Sequence, residues 1–128
     1  MISKKKNQVS VKSKIFFVID DEEGIRDLLK MNLMELYPCN VECFSTADDA
    51  IKALDNCKST PDVILSDVRM PGTSGFRLGS KLADRNLDIP IVLITGLTGE
   101  EVFEGKNIVL SKPLNLRKIK FIIDKILQ

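Results

Sequence analysis

The stretch Ile15-Phe16-Phe17-Val18-Ile19-Asp20-Asp21 decides the fold: five apolar residues without a break, stopped by two aspartates. An amphipathic helix would place polar residues every third or fourth position, and a half-exposed strand every second. An unbroken short run therefore reads as a central strand buried on both faces. The signal recurs at residues 63–65, ending at Asp67, at residues 91–94, ending at Thr95, and at residues 108–110, ending before Lys112. Residues 41–44 carry a weaker form of it.

Helical spacing fills the intervals. Ile25, Leu28, Leu29, Leu33 and Leu36 recur at three and four residues, as do Ala50, Ile51 and Leu54. Ser45 and Thr46 are candidate caps for the second helix, whose first turn holds Asp48 and Asp49, the charge sign its dipole favours. A third helix is expected over residues 74–85. A last one is expected over residues 115–127, with Leu116, Ile119, Ile123 and Ile126 on one stripe. Five buried strands alternating with helices predict a parallel sheet covered on both faces, a doubly wound α/β fold in which ligands gather at the carboxyl ends of the strands. Asp20, Asp21, Asp67, Thr95 and Lys112 all fall there.

Composition narrows the class further. A chain of 128 residues suits one compact domain, and 44% hydrophobic with 29% charged residues is the balance of a soluble globular protein. The net charge is +1, of which five lysines in the first fourteen residues supply +5, so that residues 15–128 carry −4. This divides the chain into a basic, flexible N-terminal arm, residues 1–13, and a domain over residues 14–128. The arm has too few apolar or aromatic residues for a nucleic-acid or membrane element and reads as a solvated tail. Cys39, Cys43 and Cys57 are odd in number and no histidine accompanies them, which excludes the usual Cys/His zinc site and makes reduced thiols the expectation. No apolar run approaches the roughly eighteen residues that span a bilayer. Nor do residues 1–14 hold the apolar middle of a secretory signal. The expected location is the cytoplasm, without membrane contact.

Three carboxylates converging at strand ends repel one another, and a hard divalent cation relieves that repulsion. Mg²⁺ takes oxygen ligands and keeps several waters, so such a site would hold the ion with positions left for a phosphoryl oxygen. Asp67 can then act as a nucleophile toward phosphorus, forming an acyl phosphate. Lys112 would cancel charge on the phosphoryl oxygens and the Thr95 hydroxyl would donate to one of them.

With these residues in place, the sequence resembles the receiver domains of two-component response regulators over residues 14–127. The resemblance is carried by Asp20-Asp21 after an apolar strand and by Asp67-Val68-Arg69-Met70-Pro71 with Gly75 eight residues beyond the aspartate. Ile94-Thr95-Gly96 and Lys112-Pro113 complete it. It implies a flavodoxin-like sheet of strand order 2-1-3-4-5, with Asp67 as phosphoacceptor, Asp21 as a direct metal ligand and Asp20 as a ligand mainly through water. The backbone carbonyl of Arg69 completes the ligand set, Thr95 and Lys112 contact the phosphoryl group, and Lys112-Pro113 is a cis bond. The ion implied is Mg²⁺ or Mn²⁺, and the donor is a phosphohistidine on a sensor histidine kinase or a histidine phosphotransfer protein. The output goes to a downstream protein target or a second receiver copy, without direct nucleic-acid binding. Such a domain catalyses only its own phosphorylation and dephosphorylation and is not otherwise an enzyme.

Two departures stand out. The family usually has an aromatic switch residue three positions before the lysine, where this chain has Val109. Only sixteen residues separate Thr95 from Lys112, among them Gly96, Gly99 and Gly105, so the fourth helix is expected to be short or irregular. An alternative reading follows: a receiver-fold interaction module that works independently of phosphorylation. A hydrolase with an aspartyl-phosphate intermediate would want a second carboxylate where Arg69 stands, and no Gly-rich phosphate loop follows the first strand.

Overall fold

The computed structural model of the chain describes residues 13–56, 60–68, 74–95, 108–111 and 115–128. In chain order these form β1 (Lys14–Ile19), α1 (Glu23–Leu36), β2 (Cys39–Phe44), α2 (Ala47–Asn56), β3 (Val63–Asp67), α3 (Gly75–Ala83), β4 (Ile91–Thr95), β5 (Ile108–Ser111) and α4 (Leu116–Leu127). The five strands make one sheet in the order β2-β1-β3-β4-β5, and every neighbouring pair is parallel. This is the doubly wound order 2-1-3-4-5 that the sequence implied. Residues 1–12 of the basic arm, the expected fourth helix, Cys57 and the Lys112-Pro113 bond lie outside the described residues.

Alternation along the strands splits the core in two, because successive side chains point to opposite faces. Phe16 and Val18 of β1, Val63 and Leu65 of β3, and Val92 and Ile94 of β4 pack with Leu29 and Leu33 of α1 and Ile119 and Ile123 of α4. Phe17, Ile19, Ile64, Ile91 and Leu93 point the other way, onto Ala47, Ala50, Ile51 and Leu54 of α2 and Leu78 and Leu82 of α3. All five residues of β3 and of β4 are buried, as strands covered on both faces require. At the sheet edge β2 is only half-buried, with Asn40 and Glu42 exposed, which is why its apolar signal is weaker.

The helix ends follow local chemistry. Of the two candidate caps of α2, Thr46 is the one used: its Oγ1 accepts from the Asp49 N–H at 3.1 Å. Ser74 caps α3 through the Arg77 N–H, and Asn115 caps α4 through the Lys118 N–H at 2.9 Å. The α3 helix ends two residues short of the expected 85: the Asp84 N–H still donates to Ser80 O, but the Arg85 N–H donates to Leu82 O in a tighter turn, and Asn86 then enters the left-handed region at φ 56°. Its N–H donates to Ala83 O and the Leu87 N–H to Leu82 O, both at 3.0 Å, closing a Schellman turn. In α1, Leu29 and Leu33 are buried while Leu28, which shares their periodicity in the sequence, is 45% exposed. One position is 100° around a helix, enough to leave the core. No helix among the described residues is long and apolar enough to cross a membrane.

Candidate functional site

The carboxyl ends of β1, β3 and β4 bring the expected residues together. Asp20 and Asp21 follow the last residue of β1 directly, Asp67 closes β3 and Thr95 closes β4. Asp20 is fully buried, Asp67 is 9% exposed and Thr95 8% exposed, whereas Asp21 faces solvent. One carboxylate oxygen from each of Asp20, Asp21 and Asp67 lies within 4.8 Å of the other two. In register, Asp67 stands beside Ile94 and Thr95 beside Ser111, the last residue of β5. Arg69 and Lys112 lie outside the described residues.

The β1–α1 turn is held by its own polar groups. The Asp20 N–H donates to Phe44 O at 3.1 Å, extending the β1–β2 pairing by one residue. Asp20 Oδ1 accepts from the Glu22 N–H at 2.9 Å, an Asx-type turn that leads into α1. The Asp20 carbonyl oxygen accepts from Arg26 Nη1 at 2.7 Å. Nothing in the spacing of Arg26 separates it from an ordinary solvated helix residue.

The β3 end is held as firmly. The Val68 N–H donates to Ile94 O at 3.0 Å and the Gly75 N–H to Val68 O at 3.2 Å. The Ser66 hydroxyl donates to Asp67 O at 3.0 Å. The structure also gives the reason for Gly75. A β-carbon there would lie 2.7 Å from Asp67 O and 2.8 Å from Leu93 Cδ2, so only glycine lets the first turn of α3 close against the strand that presents Asp67.

The donor set fits a hard divalent cation. Two negative charges roughly 5 Å apart repel by about 3 kcal/mol at an effective dielectric of about 20. An octahedral ion with ligands at about 2.1 Å spaces its oxygens roughly 3 to 4 Å apart, a small contraction of the observed cluster. All three donors are carboxylates, the chemistry Mg²⁺ and Mn²⁺ prefer. Val109 is 6% exposed and packs into the core on the α2–α3 side rather than into this site. Cys39 and Cys43 are free thiols on β2 whose burial pushes their pKa up, which favours the protonated form.

Comparison with known proteins agrees with this fold. The sequence pattern of the family described as the response regulator receiver domain matches residues 16–124. The chain is 41% identical over 81 residues to the C4-dicarboxylate transport transcriptional regulatory protein DctD of Pseudomonas aeruginosa, which covers 62% of this chain and 16% of that protein. It is 34% identical over 113 residues to the sensor histidine kinase RcsC of Salmonella typhi, which covers 83% of this chain and 11% of that protein. The chain thus spans a sixth or less of the length of these two relatives. Among solved structures, it is similar to a chain of the complex between histidine kinase ThkA and response regulator protein TrrA. The TM-score is 0.75 and the identity 25%, covering 90% of this chain and 99% of that one. TrrA from Thermotoga maritima in complex with Mg²⁺-BeF matches with a TM-score of 0.72 and 24% identity, covering 88% of this chain and 98% of that one.

Proposed function

Because this chain belongs to the response regulator receiver domain family, we propose that it is a phosphoacceptor in a two-component or phosphorelay system, with Asp67 as the phosphorylated residue. The observation that carries the reading is the convergence of the Asp67 carboxylate with those of Asp20 and Asp21 within 4.8 Å at the carboxyl end of the sheet. The domain is a signalling module that acts on itself rather than on a pool of substrate.

Asp20, Asp21 and Asp67, with the backbone carbonyl of Arg69, would hold a Mg²⁺ or Mn²⁺ ion, Asp20 mainly through water. When bound, the ion neutralises charge on the carboxylates and on the phosphoryl oxygens. A carboxylate oxygen of Asp67 attacks phosphorus in line with a phosphohistidine protonated on its other ring nitrogen; a P–O bond forms, the P–N bond breaks, and its electron pair leaves with the imidazole, which departs as the neutral ring. Thr95 donates its hydroxyl to one phosphoryl oxygen and Lys112 offsets the charge of another. The burial of Asp67 keeps bulk water from the acyl phosphate. The donor is a sensor histidine kinase or a histidine phosphotransfer protein, consistent with the ThkA–TrrA complex among the structural relatives. The output is a downstream protein or a second receiver copy, and neither nucleic acid nor membrane is a direct partner of the domain. The domain occupies residues 14–128, preceded by the basic arm of residues 1–13, and works in the cytoplasm.

The test is intact-protein mass after incubation with Mg²⁺ and a small-molecule phosphodonor such as acetyl phosphate. The expected result is a gain of one phosphoryl group that Asp67→Asn and a chelator each abolish. A folded protein that gains nothing from this donor or from phosphorylated kinases would instead be a receiver-fold module independent of phosphorylation.

A further inference from the structure

We infer that Arg26 is a positioning residue for the metal-holding carboxylates: its guanidinium braces the β1–α1 turn by gripping the Asp20 carbonyl, and so brings Asp20 and Asp21 to Asp67. This rests on the reading of the acidic cluster as a divalent-metal site.

The turn between β1 and α1 contains only Asp20, Asp21 and Glu22, and it carries two of the three clustered carboxylates. Its backbone path therefore sets the spacing of the cluster. Among the described residues, Asp20 is held by its N–H on Phe44 O, by the Glu22 N–H on its Oδ1, and by Arg26 Nη1 on its carbonyl oxygen at 2.7 Å. The first two have backbone N–H donors. The third is a side chain, and it reaches back six residues from the first turn of α1, where the Arg26 N–H donates to Glu22 O at 3.1 Å. Helix and strand end are thereby tied across the turn. A charged donor makes this hydrogen bond stronger than a neutral one, and the planar fork of arginine loses less entropy in making it than a flexible ammonium would. The acceptor is a backbone carbonyl, so the bond leaves the carboxylate donor set intact.

Charge and bracing predict opposite signs. A cation beside the site opposes the binding of a second cation, so if charge dominated, removing Arg26 would tighten Mg²⁺. If bracing dominates, removing it loosens the ligands and weakens Mg²⁺. Outer partners that orient ligands typically change metal affinity by about tenfold or more.

The experiment is calorimetric titration of MgCl₂ into the full 128-residue chain as wild type, Arg26→Met and Arg26→Lys, with thermal melts in chelator to compare the folded states. Arg26→Met is expected to bind Mg²⁺ about tenfold more weakly, with Arg26→Lys in between. In autophosphorylation from acetyl phosphate, the Mg²⁺ dependence should shift to higher concentration while the rate at saturating Mg²⁺ is kept. Unchanged or tighter binding in Arg26→Met overturns the inference. If Arg26→Met does not fold, Arg26→Lys decides, since it keeps the charge: weaker binding supports bracing and wild-type affinity overturns it. A wild-type chain that binds no Mg²⁺ overturns the metal reading itself, a result distinct from any difference between the variants.

Discussion

The Tyr37 hydroxyl donates a hydrogen bond to Asp124 Oδ1 at 2.7 Å, joining the end of α1 to the last helix across 87 residues of chain. The same carboxylate accepts from Lys120 Nζ through Oδ2 at 2.6 Å, and the Tyr37 ring packs on Phe16 of β1 with centroids 5.8 Å apart. This small network closes the α1–α4 side of the sheet at the end opposite the acidic cluster.

Burial first, then the hydrogen bond to Asp124 and its negative charge, push the Tyr37 pKa above the ordinary tyrosine value of 10.0. Tyr37 is the only tyrosine and the chain has no tryptophan, so absorbance near 295 nm reports this one group. The native protein should ionise above the midpoint of the urea-unfolded chain. Asp124→Asn, which keeps an acceptor and removes the charge, should move the native midpoint part of the way down. A raised folded pKa stabilises the fold fully below the unfolded value and loses that contribution as pH rises toward the folded one. Alkaline stability should therefore fall above about pH 10. That part of the fall should be absent in Tyr37→Phe. The raised Cys39 and Cys43 thiols add a loss that begins nearer their ordinary value of 9.0, and it should persist in Tyr37→Phe.

Gly75→Ala should destabilise the domain by about 1 to 3 kcal/mol, the usual range for forcing an extra carbon into a packed site. Alanine is the better helix former by up to about 1 kcal/mol, but the new carbon would meet the Asp67 carbonyl at 2.7 Å, and backbone does not move aside as a side chain does. Urea denaturation checks the sign. Phosphorylation of Asp67 should also slow, because relief of the clash has to displace the end of β3.

Leu33→Ala and Met31→Ala test which side of α1 faces the core. Leu33 is fully buried and Met31 is 68% exposed. Leu33→Ala should cost about 2 to 5 kcal/mol, and Met31→Ala should stay within about 0.5 kcal/mol of wild type. The two denaturation midpoints, measured under one condition, give the answer.

The alternation of strands and helices was written in local pattern. Unbroken apolar runs are legible because a strand covered on both faces has no polar position to spare, and the runs of β1, β3 and β4 ended at Asp20, Asp67 and Thr95, which stand at the carboxyl edge of the sheet. Asp20, Asp21, Asp67 and Thr95 could be gathered in advance for that reason alone. The expected α3 stopped just before Asn86, a residue suited to the left-handed turn, but ran two residues too far, because the tightening of the last turn at Arg85, whose N–H donates to Leu82 O, leaves no mark in the sequence. Leu28 was grouped with Leu29 and Leu33 because periodicity gives a stripe without giving its edges.

By itself the sequence determined which segments are strands, which faces are apolar, and which acidic and hydroxyl side chains stand at the strand ends, since these depend on residues within one or two turns of each other. Tertiary structure decided the rest. It buried Asp20 while leaving its neighbour Asp21 in solvent, turned the Arg26 guanidinium back onto the Asp20 carbonyl, and set α3 close enough to Asp67 that only glycine fits at position 75. Those outcomes depend on distances between elements far apart in the chain, and such distances are set only when the whole core has packed.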